Sequence, residues 1–349
     1  MQCPYCDFSI TTEPVKQNDQ KLAHAIAQDL EDSAALIDGR EFSSIYFGGG
    51  TPSLASAEAI AIILDAVKQN PLSKEMEITF EMNPRDVSAN KLSDLSALGI
   101  NRYSLGVQSY NDPELKGLGR NHDKASGIEA TNLLKGMNST IDLIYGTEYQ
   151  TATSFQETLE QFIDSQINHL SLYQLTIEPN TIFYKKELKL PNEDQIEGME
   201  RLARQMLESN GYQQYEVSSW SRPGFLSRHN LNYWQFGDFL GLGPGAHSKI
   251  TVGPEITRFR KIKPLNGYIA KQTIADHTII QGEELDMDLA MNLLRIKDGI
   301  LPDHLGVELP KSFLKKYQLG VKEGLLLEDK IGATARGYQY LNETVKLFF

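Results

Sequence analysis

Five short runs rich in β-branched and aromatic residues recur at about the length of one βα unit and limit what this chain can fold into. They occupy residues 44–48 (SIYFG), 77–82 (EITFEM), 102–108 (RYSLGVQ), 140–145 (TIDLIY) and 170–175 (LSLYQL). Helical patterns fill the intervals, at 21–37, 57–68, 91–98, 124–135 and 155–165, and a further one covers 193–209 before Asn210-Gly211, a standard stop signal. Strand, helix, strand repeated in this way predicts a parallel sheet, open or curled into a barrel. With helices over the sheet, the strands are expected to be apolar on both faces.

The rhythm changes after residue 211. Residues 212–275 are rich in aromatics, Gly and Pro and read as irregular structure laid on the sheet. Residues 276–349 form a third pattern: helices at 285–296 and 311–323, short strands flanking Asp329-Lys330, and a last helix running to Phe349. The expected class is α/β, a partial barrel over 1–211, followed by an α+β, winged-helix-like module. The second helix of that module has no arginine face, and Asp+Glu (46) outnumber Lys+Arg (34), so general nucleic-acid binding is not expected. No run approaches the ~18 apolar residues of a membrane span. The opening residues lack the basic and apolar regions of a signal peptide, which makes the cytoplasm the expected compartment.

Two features carry chemistry. Cys3 and Cys6 are the only cysteines and stand as Cys-x-x-Cys. That spacing suits a redox dithiol, half of a zinc site, or part of an iron–sulfur site, and alone does not choose among them. The run Gly48-Gly49-Gly50-Thr51 follows the first strand directly, where positive φ and exposed N–H groups suit a close ligand. Ligand sites of such folds lie at the strands' carboxyl ends. Glu81, Asn83, Gln108, Ser109 and Asp142 sit at or near later strand ends, with Arg120 and His122 in a following loop. Carboxylates and amides converging on one mouth suit a ligand that carries an ammonium group and ribose hydroxyls. Separately, His229 is a candidate axial iron ligand, with Tyr233 and Trp234 as an apolar wall and His247 as a second histidine.

Taken together, Cys-Pro-Tyr-Cys-Asp-Phe, Phe-Gly-Gly-Gly-Thr-Pro-Ser-Leu, Glu-Met-Asn-Pro, Leu-Gly-Val-Gln-Ser, Gly-Arg-Asn-His, Ile-Asp-Leu-Ile-Tyr-Gly and Gln-Leu-Thr-Ile-Glu-Pro-Asn-Thr resemble the radical SAM coproporphyrinogen III oxidase family. Within it they are most similar to the HemW-type haem-chaperone branch. The resemblance implies a six-unit (βα) partial barrel, a [4Fe–4S] cluster held by three cysteines spaced C-x3-C-x2-C, and S-adenosylmethionine on the open iron. By position, Cys3 and Cys6 would be the second and third cluster cysteines. Tyr5, Gly49, Gly50, Thr51, Glu81, Gln108, Arg120 and Asp142 would contact S-adenosylmethionine. The first cluster cysteine and the family's first strand would fall before Met1, so a start codon placed too late is the expectation, with a truncated protein as the alternative. The oxidase branch has a fourth cysteine where this chain has Phe8, while His229-Asn230-Leu231-Asn232-Tyr233-Trp234 matches the HNxxYW pattern linked to haem in the chaperone branch. The implied function is binding haem and passing it to an acceptor protein. Oxygen-independent oxidation of coproporphyrinogen III, in porphyrin biosynthesis, is the alternative.

Overall fold

The computed structural model describes residues 3–6, 15–271 and 274–349. Five parallel strands, β1 (Phe42–Phe47), β2 (Leu72–Met82), β3 (Arg102–Gln108), β4 (Ser139–Tyr145) and β5 (His169–Gln174), lie side by side in chain order. The connecting helices Ala57–Val67, Ala89–Leu98, Lys124–Leu133 and Ala152–Ser165 start at side-chain caps from Ser56, Ser88, Asp123 and Thr151. Each cap satisfies backbone N–H groups that the first turn leaves unpaired. The expected α/β half-barrel followed by an α+β region is the observed architecture, and β3 coincides with its sequence run.

The strands are not apolar on both faces, as the sequence reading held. One face carries Ile45, Phe47, Phe80, Met82, Leu105, Val107, Ile141, Leu143, Leu170 and Leu172, which pack in one core with Leu92, Leu95, Leu159 and Phe162 of the helices. The alternate positions are polar: Ser44 and Tyr46 on β1, Glu77, Thr79 and Glu81 on β2, Arg102 and Ser104 on β3, Asp142 on β4, His169 and Ser171 on β5. The register aligns them, Tyr46 beside Thr79, Glu81 beside Ser104 and Asp142 beside Ser171. Side chains alternate with period two, so covering one face with helices leaves the other for the inside of the curl.

Residues 212–275 hold more regular structure than the sequence suggests. Strands β6 (Gln213–Glu216) and β7 (Ser219–Ser221) extend the sheet, β7 pairing antiparallel with β5. A seven-residue helix, Arg228–Trp234, follows. Strands β8 (His247–Val252), β9 (Glu255–Lys261) and β10 (Ile274–Ile280) make a separate antiparallel sheet. In the C-terminal region, helices Gly282–Leu293 and Lys311–Lys322 precede a turn at Asp329-Lys330, where an isolated Leu326–Ala333 bridge stands in place of the short strands expected. The last segment is broken into Ala335–Gln339, Leu341–Val345 and Lys346–Phe348 rather than running as one helix. No described helix is long and apolar enough to cross a membrane.

A buried pair fixes the helix Arg228–Trp234 to the barrel. Glu77 on β2 accepts the backbone N–H groups of Arg228 at 3.2 Å and His229 at 3.0 Å. Its partner Arg102 on β3 lies 3.5 Å away and reaches the carbonyls of Phe225 and Leu226, each at 3.4 Å. Removing one member of a buried pair costs about 3–5 kcal/mol, because the other charge is left uncompensated. Glu77→Ala is therefore expected to lower unfolding stability by an amount of that order, measured by chemical denaturation; a loss under about 1 kcal/mol would contradict this account.

Candidate functional site

The carboxyl ends of the strands bring together most of the residues singled out in the sequence. Gly49 and Gly50 take φ of +76° and +58°, and no atom stands within 4 Å of where a Cβ would be, so the turn faces open space. Gly49 N–H donates to Glu81 at 3.1 Å, and Tyr46 O–H donates to the other oxygen of that carboxylate at 2.7 Å. Arg120 gathers the next layer. It donates to Asn83 Oδ1 at 2.8 Å and to the Gly106 carbonyl at 2.7 Å, and its Nη1 lies 3.4 Å from Cys3 Sγ and 3.5 Å from Tyr5 Oη. Gln108, at a bulge in β3, holds a φ of +70°, a strained conformation of the kind that gathers at functional positions. Thr51 begins the short turn Pro52–Leu54 beside the glycines.

The Cys3–Cys6 segment is a tight turn closed by Cys6 N–H donating to Cys3 O at 3.1 Å, and neither residue is in a disulfide. Pro4 O accepts from Phe183 N at 3.0 Å, and Tyr5 packs against Phe183 with ring centres 6.2 Å apart. Gly119 is the tight point: its φ is +68°, and a Cβ there would stand 2.5 Å from Pro4 Cδ. Phe8 lies outside the described residues.

Two of the residues singled out, one after a strand end and one in the loop beyond, do not join the site. Ser109 is buried and donates to Glu114 at 2.7 Å, and His122 bonds the Val107 carbonyl at 3.0 Å. Burial pushes the imidazole of His122 down to about 4, with the neighbouring Arg120 adding to the effect. Both hold loops rather than face a ligand.

Inside the curl, burial raises the Asp142 carboxyl to about 7 against the bonds from Ser104, at 2.7 Å, and Ser171, which lower it, while the Glu81 charge adds to the rise. Burial also raises Glu81, offset by Tyr46 and Gly49. Burial thus works against the charged form of both carboxyls, and a cation set beside them would favour it.

A cavity of about 2700 Å³ runs from Gly49 and Glu81 past the aromatic residues of helix Arg228–Trp234 to the C-terminal region. Sites for drug-sized ligands are nearer ~300–1,000 Å³. His229 stacks on Tyr46, ring centres 4.3 Å apart, and meets Tyr233 edge-on at 4.7 Å. Its Nδ1 lies 3.5 Å from Ser44 Oγ, and Nε2 makes no hydrogen bond among the described residues. Burial lowers its imidazole to about 4, so the ring is neutral at pH 7. Trp234 Nε1 is buried without a hydrogen-bond partner among the described residues. His247 is exposed at the start of β8, near Arg260, Asp276 and Lys263. Sequence reasoning missed Tyr46, Ser104 and Arg102, and the polar alternation along the strands was the signal.

A family model described as the radical SAM superfamily matches residues 1–162. Proteins named Heme chaperone HemW are 37% identical in Haemophilus influenzae and 34% in Escherichia coli, each match covering 99% of this chain and 94% of the relative. The chain belongs to the HemW family of radical SAM proteins. A mitochondrial radical S-adenosyl methionine domain-containing protein 1 of Danio rerio is 30% identical, over 90% of this chain and 74% of that one. The solved structure of Escherichia coli coproporphyrinogen III oxidase (HemN) superposes with a TM-score of 0.79 at 23% identity, covering 100% of this chain and 87% of that one, and shows the fold. The family implies a [4Fe–4S] cluster and S-adenosylmethionine. The open glycine turn and the paired carboxyls fit the second. For the first, Cys3 and Cys6 are two thiols, and no group of three or more Cys, His, Asp or Glu among the described residues is placed to hold a metal ion. Two sulfurs do not complete the thiolate set of such a cluster.

Two tests follow from this geometry. Gly119→Ala is expected to displace Pro4 and raise the rate of Cys3 and Cys6 alkylation by iodoacetamide several-fold, read by intact mass; an unchanged rate would show that the turn does not rest on Gly119. Between pH 3.8 and about 7 the folded protein holds the Asp142 proton and the unfolded chain does not, so this residue makes stability fall as pH rises through that window. The thermal midpoint of Asp142→Asn is expected to fall less steeply there than that of the unaltered protein.

Proposed function

We propose that this protein is a haem chaperone: it binds haem in the large cavity and passes it to an acceptor protein. The observation that carries the reading is His229, a neutral imidazole with an uncommitted Nε2, set on a cavity wall between Tyr46 and Tyr233. Neutral imidazole is the common nitrogen ligand of haem iron, and flat aromatic walls suit a porphyrin face. Tyr233 edges onto Phe239 at 4.5 Å, so the wall continues beyond the helix. The names of the bacterial relatives agree with this reading.

The site at the glycine turn is assigned to S-adenosylmethionine. Glu81 and Asp142 would take its cationic groups, Gly49, Gly50 and Thr51 its methionine end, and Gln108, Arg120 and Tyr5 the remainder. Cys3 and Cys6 would contribute to an iron–sulfur centre, which supplies one-electron chemistry when bound. On this reading the work is done in the cytoplasm.

Haem titration of His229→Ala beside the unaltered protein tests the reading. The unaltered protein is expected to take up haem with a Soret band that persists on acidification below pH 6.5, since the ring resists protonation down to about 4. His229→Ala is expected to lose that band or shift it and to bind at least tenfold more weakly. An unchanged band and affinity would remove His229 from the role, and anaerobic formation of protoporphyrinogen from coproporphyrinogen III would favour the oxidase reading instead.

A further inference from the structure

The cavity does not end at the aromatic wall. Arg295 stacks its guanidinium 4.2 Å over the Trp234 ring and donates to Glu216 at 3.1 Å. Two residues on, Lys297 Nζ sits 4.5 Å from the centre of the Tyr338 ring, and the Tyr338 hydroxyl donates to Arg295 O at 3.2 Å. Arg204, on helix Glu193–Ser209, joins them, and Arg204, Arg295, Lys297 and Tyr338 all line the cavity. The positive charges are unevenly answered. Glu216 is committed to Arg295. Lys297 has a 3.5 Å contact with Gln214 and no ion pair among the described residues; Glu208 and Asp298 act on it only through space. Arg204 has no hydrogen bond or ion pair among the described residues. Burial and then Arg204 press the Lys297 ammonium downward, with Glu208 and Asp298 acting the other way.

Arg204 and Lys297 repel one another, and with neither held in an ion pair among the described residues both are left able to meet an anion. Carboxylates are the complementary partners of guanidinium and ammonium groups. We propose that Arg204 and Lys297, backed by Arg295, receive the propionate carboxylates of a porphyrin whose iron faces His229, so that the cavity selects planar macrocycles with free acidic side chains. The inference rests on the haem reading above and adds to it the polarity of binding: metal toward the barrel, acid groups toward the rim shared with the C-terminal region. Arg295, already engaged by Glu216 and Trp234, holds the rim in place, while the less committed Arg204 and Lys297 make the contact.

Absorbance titration with haem and with haem dimethyl ester, whose propionates are capped, tests this on the full chain and on the double variant Arg204→Gln, Lys297→Gln. The unaltered protein is expected to prefer the free acid by tenfold or more, and the variant's preference is expected to fall to about one. Equal affinity of the unaltered protein for acid and ester would overturn the rim and leave the haem reading standing. A variant that keeps the preference would do the same. Failure of the unaltered protein to bind either compound would overturn both.

Discussion

The buried pair between Glu77 and Arg102 is the interaction on which the cavity depends. Glu77 lies beneath the first turn of helix Arg228–Trp234, where a carboxylate answers unpaired N–H groups and the positive end of the helix. Ser227 caps the same turn from the other side. Arg102 spreads its donors over Asn138, Thr140 and the two carbonyls leading into that helix. A buried pair of this kind is a weak source of net stability, since desolvation offsets most of the attraction. Its effect is orientation: two strands and one helix meet in one arrangement, and His229 is delivered to the concave side of the sheet.

That concave side joins two chemistries. At the carboxyl ends of the strands are the glycine turn and the carboxyls; deeper in lies the aromatic wall. Tyr46 touches both, stacking on His229 and donating to Glu81, whose second oxygen holds Gly49 N–H. A group that claims Glu81 therefore removes the acceptor of the tyrosine that packs on the histidine. The two ends of the cavity are in physical contact through three side chains.

Much of this was legible before the structure. The βα period, the strand 102–108 and the helix 193–209, stopped by Asn210-Gly211, were plain because each is long or clearly punctuated. The short strands β6 and β7 were not. At four and three residues they carry no period of their own and exist through pairing with β5. Ser109 looked like a site residue because it follows a strand end and His122 because it lies in the loop beyond, yet their side chains turn to Glu114 and to a backbone carbonyl. Tyr46 and Arg102 were passed over because polar residues inside a run of strand formers read as ordinary strand composition.

By itself the sequence determined the order of strands and helices, the glycine turn, the cysteine pair and the aromatic helix with its histidine, because each is written in adjacent or regularly spaced residues. Only the tertiary structure decided which strand face became the inside of the curl, and that Arg204, Arg295 and Lys297 share a wall with Trp234. Period-two alternation separates two faces without saying which is concave. That choice belongs to the helices packed on the outer side and to contacts between residues more than a hundred positions apart, such as Glu77 with His229.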